Sequence, residues 1–259
     1  MAMTKQEMQV ALTLPQFPKS AMYDPEWLCK NEMGPCSVWL CEFLMKKMDL
    51  KPGMRVLDMG CGMGISSVFL AKEYDVTVFA NDLWISATDN YKRFQDVGLS
   101  DRILPIRAEA RELPYADEFF DAIISIDSYH YYGTDALYLD YISKFLKNEG
   151  QIGIVVPALT KEFDDSGAPD YMLPYWDWSM YSFHSPEWWS RLWRFSQNIE
   201  VEVSDLLPYG FDIWIHWEKT LKASGLMQRS GDIELLEADN GRYLTFSRTV
   251  GRKTEKRRK

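Results

Sequence analysis

The 259-residue sequence is short of histidine, with three, and of cysteine, with four, and its basic residues fall behind its acidic ones to leave a formal charge of -9. Each shortage excludes something. Cys29, Cys36, Cys41 and Cys61 all lie in the first quarter of the chain, form no C-x-x-C pair and stand far in sequence from the histidines, so no zinc or other metal centre is expected. They read as reduced thiols of a cytoplasmic protein. No stretch reaches the roughly 18 consecutive apolar residues of a membrane span, and the first residues lack the apolar run of a signal peptide. The acidic balance argues against a nucleic-acid surface, which relies on clustered Lys and Arg. Basic side chains gather only at the end, in Arg252, Lys253, Lys256, Arg257, Arg258 and Lys259, which reads as a solvated tail. The sequence assigns no oligomeric state.

What is present is a hydrophobic content of 46%, enough for one large core. Residues 1–50 read as a proline-punctuated, aromatic arm followed by a helix from about Ser37 to Lys47. Residues 51–157 alternate strand and helix, with strands at Arg55–Met59, Val76–Asn81, Ile103–Ala108, Ala122–Asp127 and Gln151–Pro157. Helices are expected over Ile65–Glu73, Ile85–Val97 and Asp135–Leu146. Such alternation predicts an α/β fold, a doubly wound and mostly parallel sheet covered on both faces. Residues 158–259 carry an aromatic lid, closing strands and the basic tail, all within a single domain. Ser185-Pro186 predicts a capped helix start, with Trp188, Leu192 and Phe195 on one packing face. Trp214, Trp217 and Leu221 form another such face, and Asn240-Gly241 marks the turn before the last strand.

The run Val56-Leu57-Asp58-Met59-Gly60-Cys61-Gly62-Met63-Gly64 leaves a strand and opens a helix. Glycine lets a ligand lie against the main chain, and the helix start presents unpaired N–H groups. A dinucleotide fingerprint beginning at Gly60 wants a small residue at position 65, where Ile65 stands. Asp58-x-Gly60-x-Gly62-x-Gly64 instead resembles motif I of the class I S-adenosylmethionine-dependent methyltransferases. Asp82, about 20 residues on at the end of a strand, sits where a carboxylate accepts both ribose hydroxyls. Leu83 and Trp84 follow to flank the adenine. Arg107-Ala108-Glu109-Ala110 with Leu113-Pro114-Tyr115 and Phe120-Asp121 is similar to the Gly-Asp-Ala…Leu-Pro-Phe…Phe-Asp signature of the branch that includes quinone-biosynthesis methyltransferases. Ala108 and Glu109 depart from it by standing for Gly and Asp.

The resemblance implies a Rossmann-like seven-stranded fold, S-adenosylmethionine as cofactor and S-adenosylhomocysteine as product. It implies that Glu109 meets the adenine amino group beside the Ala110 N–H. Asp58 then attracts the methionine ammonium directly or through water, and Gly60 helps through its carbonyl. The fourth strand end, Ser125-Ile126-Asp127-Ser128-Tyr129-His130-Tyr131, gathers groups able to exchange protons where the acceptor would stand. His130 is the candidate base there, although a histidine bonded for structure is the plainer alternative, and Tyr129 and Asp127 orient the acceptor or the cofactor amine. Tyr23, Trp176, Trp178 and His184 are candidate acceptor contacts from the arm and lid, whose aromatic walls suit planar, apolar or cationic molecules.

The function expected is methyl transfer to an O, N or C atom of a small molecule. The alternatives are methylation of a protein or nucleic acid, and a SAM-binding regulatory module without catalysis.

Overall fold

The computed structural model describes residues 2–226 and 232–254. Segment 227–231 and residues 255–259, most of the basic tail, lie outside the described residues. The chain opens with α1 (Lys5–Ala11), α2 (Pro25–Asn31) and α3 (Ser37–Met45). It then alternates through β1 (Arg55–Met59), α4 (Ile65–Tyr74), β2 (Thr77–Asp82), α5 (Ala87–Asp96), β3 (Ile103–Arg107), β4 (Phe120–Ile126), α6 (Tyr138–Ile142) and β5 (Leu146–Leu159). It closes with α7 (Pro186–Trp193), β6 (Ile199–Leu206), α8 (Gly210–Ser224), α9 (Ile233–Asp239) and β7 (Leu244–Lys253).

The strands form one seven-stranded sheet in the order β3-β2-β1-β4-β5-β7-β6. β1 through β5 pair in parallel, and β7 runs antiparallel to both β5 and β6. This is the mostly parallel α/β architecture expected. The order reverses between β1 and β4, so their carboxyl ends diverge and leave a crevice where ligands of open α/β sheets sit.

Alternation along the strands feeds two cores. Val56, Ile124 and Val155 join the larger one with α3, α4 and α8, whereas Leu57, Ile123, Ile152 and Ile154 face the other, with α6 and α7. Local chemistry sets the helix starts. The Ser86 hydroxyl accepts from Asp89 N–H to cap α5, and Ser185 with Pro186 in the first turn starts α7.

Four expectations are corrected. The N-terminal segment is core: Met8, Leu12, Phe17 and Leu28 are buried in the larger cluster, and Phe17 stacks on Trp39, which meets Trp217 of α8 edge-on at 4.7 Å. Prolines punctuate it, but between them short capped helices supply apolar faces. The helix expected over Asp135–Leu146 shortens to α6 and a 3-10 turn because Leu146 already pairs with Phe120 of β4. Gln151 pairs with Ala122, so the intervening residues bulge, with Glu149 at φ 62°. On α7 the buried pair is Trp189 and Trp193, while Phe195 is 70% exposed. Arg252 and Lys253 belong to β7, and Arg252 pairs with Asp49 and Glu202.

Among the described residues no helix is long and apolar enough to cross a membrane. If the N-terminal segment is core, Phe17→Ala, at a position 1% exposed, lowers unfolding stability by roughly 3–5 kcal/mol. Met22→Ala, at a position 83% exposed, changes it by less than about 0.5 kcal/mol. Urea denaturation followed by Trp fluorescence measures both; equal effects contradict the core assignment.

Candidate active site

The carboxyl ends of β1 and β2 are tied together before any ligand is considered. Gly60 N and Cys61 N both donate to Asn81 O, at 2.8 and 3.0 Å. Gly62 N donates to Asp82 Oδ2 at 2.8 Å, while Asp82 Oδ1 accepts from Trp84 N and Ile85 N, each at 2.8 Å. Asp82 therefore fixes the glycine loop against the next turn and keeps one of its roughly four acceptor directions for something else. Gly60 has φ +70°, and a Cβ there would lie 1.9 Å from Ser128 Oγ, so β4's loop closes directly over its backbone.

α4 starts at the end of this loop with Gly64 as its N-cap and no side-chain cap, so the N–H groups of its first turn have no intrahelical partner. Asp58 lies behind them, fully buried. Its Oδ2 accepts from Ser66 and Ser67 hydroxyls at 2.6 Å each, and Oδ1 has no hydrogen-bond partner. Burial pushes its carboxyl up to about 6, against the two hydroxyl bonds that favour the anion. Ser66 lines the cavity and Asp58 does not, so any direct contact of Asp58 with a ligand gives way to one relayed through the α4 start.

The cavity measures about 430 Å³ and opens over the glycine loop. Asp82, Leu83, Trp84, Glu109 and Ala110 line one half. Glu109 accepts from Arg111 N at 2.7 Å and pairs with the Arg111 guanidinium. Trp84 meets Tyr131 edge-on at 5.8 Å across the rim. The other half is walled by Met33 and Pro35 before α3, Ile126 of β4, Met180 and Phe183 of the lid, and Trp214 of α8. Asp127, at φ 51°, lies between the halves and touches the Gly34 backbone closely enough that a Cβ there would collide with it.

Of the residues expected at the acceptor, His130 lines the cavity and Tyr129 does not. Tyr129 points into the second core, ringed by Tyr132, Tyr138, Trp189 and Trp193, and burial raises its phenol far above the usual range. His130 is buried against Tyr131 and Phe183, which lowers its imidazole to about 3 and keeps it neutral. Tyr23 packs on Phe69 and donates to Glu73, away from the cavity. Trp176 packs on Phe163 and Phe183 outside the lining, and Trp178 is 77% exposed. His184 pairs with Glu162 at 2.9 Å and stacks on Trp188 at 3.6 Å. It braces the start of α7 and does not line the cavity.

Met33, Met180, Phe183 and Trp214 were not anticipated, since as apolar residues they look the same in sequence whether they wall a cavity or fill a core. Tyr132 was missed as well. Its hydroxyl lies 3.1 Å from Ser125 Oγ and accepts from Ser128 Oγ at 3.3 Å, tying down the loop that covers Gly60. The spacing of Ser125, Ser128 and Tyr132 was the available signal.

The family model for mycolic acid cyclopropane synthetase matches residues 37–168, about half of the chain and the part that builds this site. The chain belongs to the mycolic acid cyclopropane synthetase family. That places it among the class I S-adenosylmethionine-dependent methyltransferases. Curated relatives of this synthetase-family chain include methyltransferase GfsG of Streptomyces halstedii, 29% identical over 127 residues, which are 49% of this chain and 46% of that protein. Phosphoethanolamine N-methyltransferase 1 of Arabidopsis thaliana is 34% identical over 109 residues, 42% of this chain and 22% of that protein. The chain thus spans from about a fifth to a half of the curated relatives it matches. Among solved structures, geranyl diphosphate C-methyltransferase from Streptomyces coelicolor A3(2) superposes with TM-score 0.67 at 17% identity, over 95% of this chain and 87% of that one. Phosphoethanolamine N-methyltransferase 2 of Haemonchus contortus gives 0.72 at 17% identity, over 96% of this chain and 60% of that one. Both share the fold.

The buried Asp58 yields a pH test. A folded-state carboxyl at about 6, above the ordinary 3.8, binds its proton more tightly than the unfolded chain does, so its contribution is present at low pH and is lost as pH rises through 6. Replacing it by Asn removes that loss. Between pH 3 and 7.5 the stability of Asp58→Asn relative to wild type should rise by about 3 kcal/mol and then level off. Urea denaturation across that range checks it; a flat difference contradicts the assignment.

Proposed function

We propose that the chain transfers a methyl group from S-adenosylmethionine to an O, N or C atom of a small-molecule acceptor held in this cavity. The observation that carries the reading is the buried Asp82 carboxylate, 7% exposed, bonded to Gly62 N–H with acceptor capacity left toward the cavity.

The residues present suit that cofactor end to end. Asp82 would accept from the ribose hydroxyls, and Leu83, Trp84, Glu109 and Ala110, which line the same part of the cavity, would hold the adenine. The uncapped first turn of α4 favours the methionine carboxylate through its free N–H groups and the positive end of its dipole. The raised Asp58 carboxyl just behind has an unpaired oxygen that a nearby ammonium would favour. When bound, S-adenosylmethionine would supply a sulfonium methyl for transfer to the acceptor's electron pair, the C–S pair staying on sulfur in S-adenosylhomocysteine. The Leu113-Pro114-Tyr115 and Phe120-Asp121 pattern supports a place near the quinone-biosynthesis branch.

The protein's own task is then placement. Asp127, the Met33–Pro35 segment and the apolar wall of Met180, Phe183 and Trp214 fix the acceptor in line with the methyl and exclude water. We place His130 in the wall: it is buried against Phe183, and that burial lowers its imidazole, which favours a packing role over that of general base.

Calorimetric titration with S-adenosylhomocysteine should show one site on the wild type and at least a tenfold weaker one on Asp82→Ala; a well-folded wild type that binds none overturns the proposal. With labelled S-adenosylmethionine, His130→Asn should lower kcat by less than about tenfold and leave the pH profile unchanged, whereas losing a true base costs roughly 100- to 10,000-fold. A loss of that size restores His130 as base.

A further inference from the structure

α5 contributes nothing to the lining of the cavity, yet it holds the glycine loop from behind. Asn90 and Phe94 stand four residues apart on one face of this helix, both buried, and both meet the loop. Asn90 Nδ2 donates to Gly62 O at 2.9 Å and to Cys61 Sγ at 3.7 Å, while Asn90 Oδ1 accepts from Arg93 Nη1 at 3.0 Å. The Arg93 contact fixes which end of the amide is the donor. Phe94 fills the space beside Gly64, where a Cβ would lie 2.4 Å from its ring.

Gly62 is thereby held on both sides. Its N–H donates to Asp82 Oδ2 at 2.8 Å, and its carbonyl accepts from Asn90, 1% exposed, with the weaker Cys61 thiol donor at 3.6 Å. In a trans peptide the C=O and the N–H that follows it point in opposite directions, and the described peptides are trans. Gly62 and Met63 line the cavity and Asn90 does not, so the bond that turns Gly62 O toward α5 turns the Met63 N–H toward the cavity. Glycine tolerates either orientation of this peptide, so the Asn90 bond selects one. The Met63 N–H stands one residue before Gly64, the N-cap of α4, and extends the row of uncapped donors at that helix start. The circuit closes on Asp82, which also fixes the Trp84 and Ile85 N–H groups in the turn leading into α5.

We infer that Asn90 is a positioning residue for the methionine end of the cofactor: it orients the Gly62–Met63 peptide so that the Met63 N–H serves the carboxylate there, without itself touching the ligand. This rests on the methyltransferase reading above. It divides the labour within the site. Asp82 serves the ribose, which every adenosine compound shares, whereas Asn90 acts on the part that carries the amino acid.

Two ligands separate the two ends: S-adenosylhomocysteine, which carries the amino-acid end, and methylthioadenosine, which lacks it. Both are titrated into the full chain by calorimetry at pH 7.5. Asn90→Leu keeps the branching of the side chain and removes the donor. It should bind S-adenosylhomocysteine at least about fivefold more weakly than wild type, the scale of one hydrogen bond to a charged group partly lost, and methylthioadenosine within about twofold. Asn90→Ala, also without a donor, should show the same split and carries the test if the Leu variant does not fold. Asp82→Ala, by contrast, should weaken both ligands. Equal losses for the two ligands in the Asn90 variants, or no loss for either, overturn the inference and leave the methyltransferase reading standing on wild-type binding of S-adenosylhomocysteine. A folded wild type that binds no S-adenosylhomocysteine overturns both.

Discussion

The site depends on one carboxylate. Asp82 accepts three backbone N–H groups, from Gly62, Trp84 and Ile85, and so locks the loops that follow β1 and β2 into a single edge. Hydrogen bonds to a charged acceptor are the stronger kind, and here they hold glycine backbone, the residue type with the widest conformational freedom. Without them the α4 start, the Gly60 contact with Ser128 and the Trp84 rim lose their common reference. A group that organises the site and keeps one acceptor direction toward the cavity is prepared for its ligand.

A second carboxylate works differently. Asp58 is sealed beneath the first turn of α4, where two seryl hydroxyls stabilise its anion and burial opposes it. The two acids stand at the ends of adjacent strands, and the Asp82 charge adds to the burial that raises the Asp58 carboxyl. The arrangement carries electrostatic cost in the absence of a cation. On the proposed reading, a positively charged ligand end near the loop would relieve it.

The glycine loop was legible in the sequence because its positive φ values demand that residue type, whereas Asp82 was read as a ribose acceptor and its three backbone N–H bonds were not foreseen. The sheet was legible for a similar reason, since apolar runs of strand length alternate with helical ones. The acceptor wall was not. Met33, Met180, Phe183 and Trp214 are apolar residues from separated segments, and only the three-dimensional fold shows that they face a space and not one another. Tyr129 and His184 were misread for the complementary reason. Their polar atoms suggested chemistry, but Tyr129 fills a core of rings and His184 braces a helix start against Glu162. The N-terminal segment was misread by its prolines, although Met8, Leu12, Phe17 and Leu28 carried a core pattern between them.

The central claim is that the adenosylmethionine site lies along Gly60–Gly64 with its ribose on Asp82. A crystal structure of the full chain with S-adenosylhomocysteine tests it most directly. The account predicts ribose hydroxyls within hydrogen-bond distance of Asp82, adenine beside Leu83 and Glu109, and the sulfur directed toward the wall of Phe183 and Trp214. Ligand density elsewhere, or an adenosine that leaves Asp82 bonded only to backbone N–H groups, would contradict it.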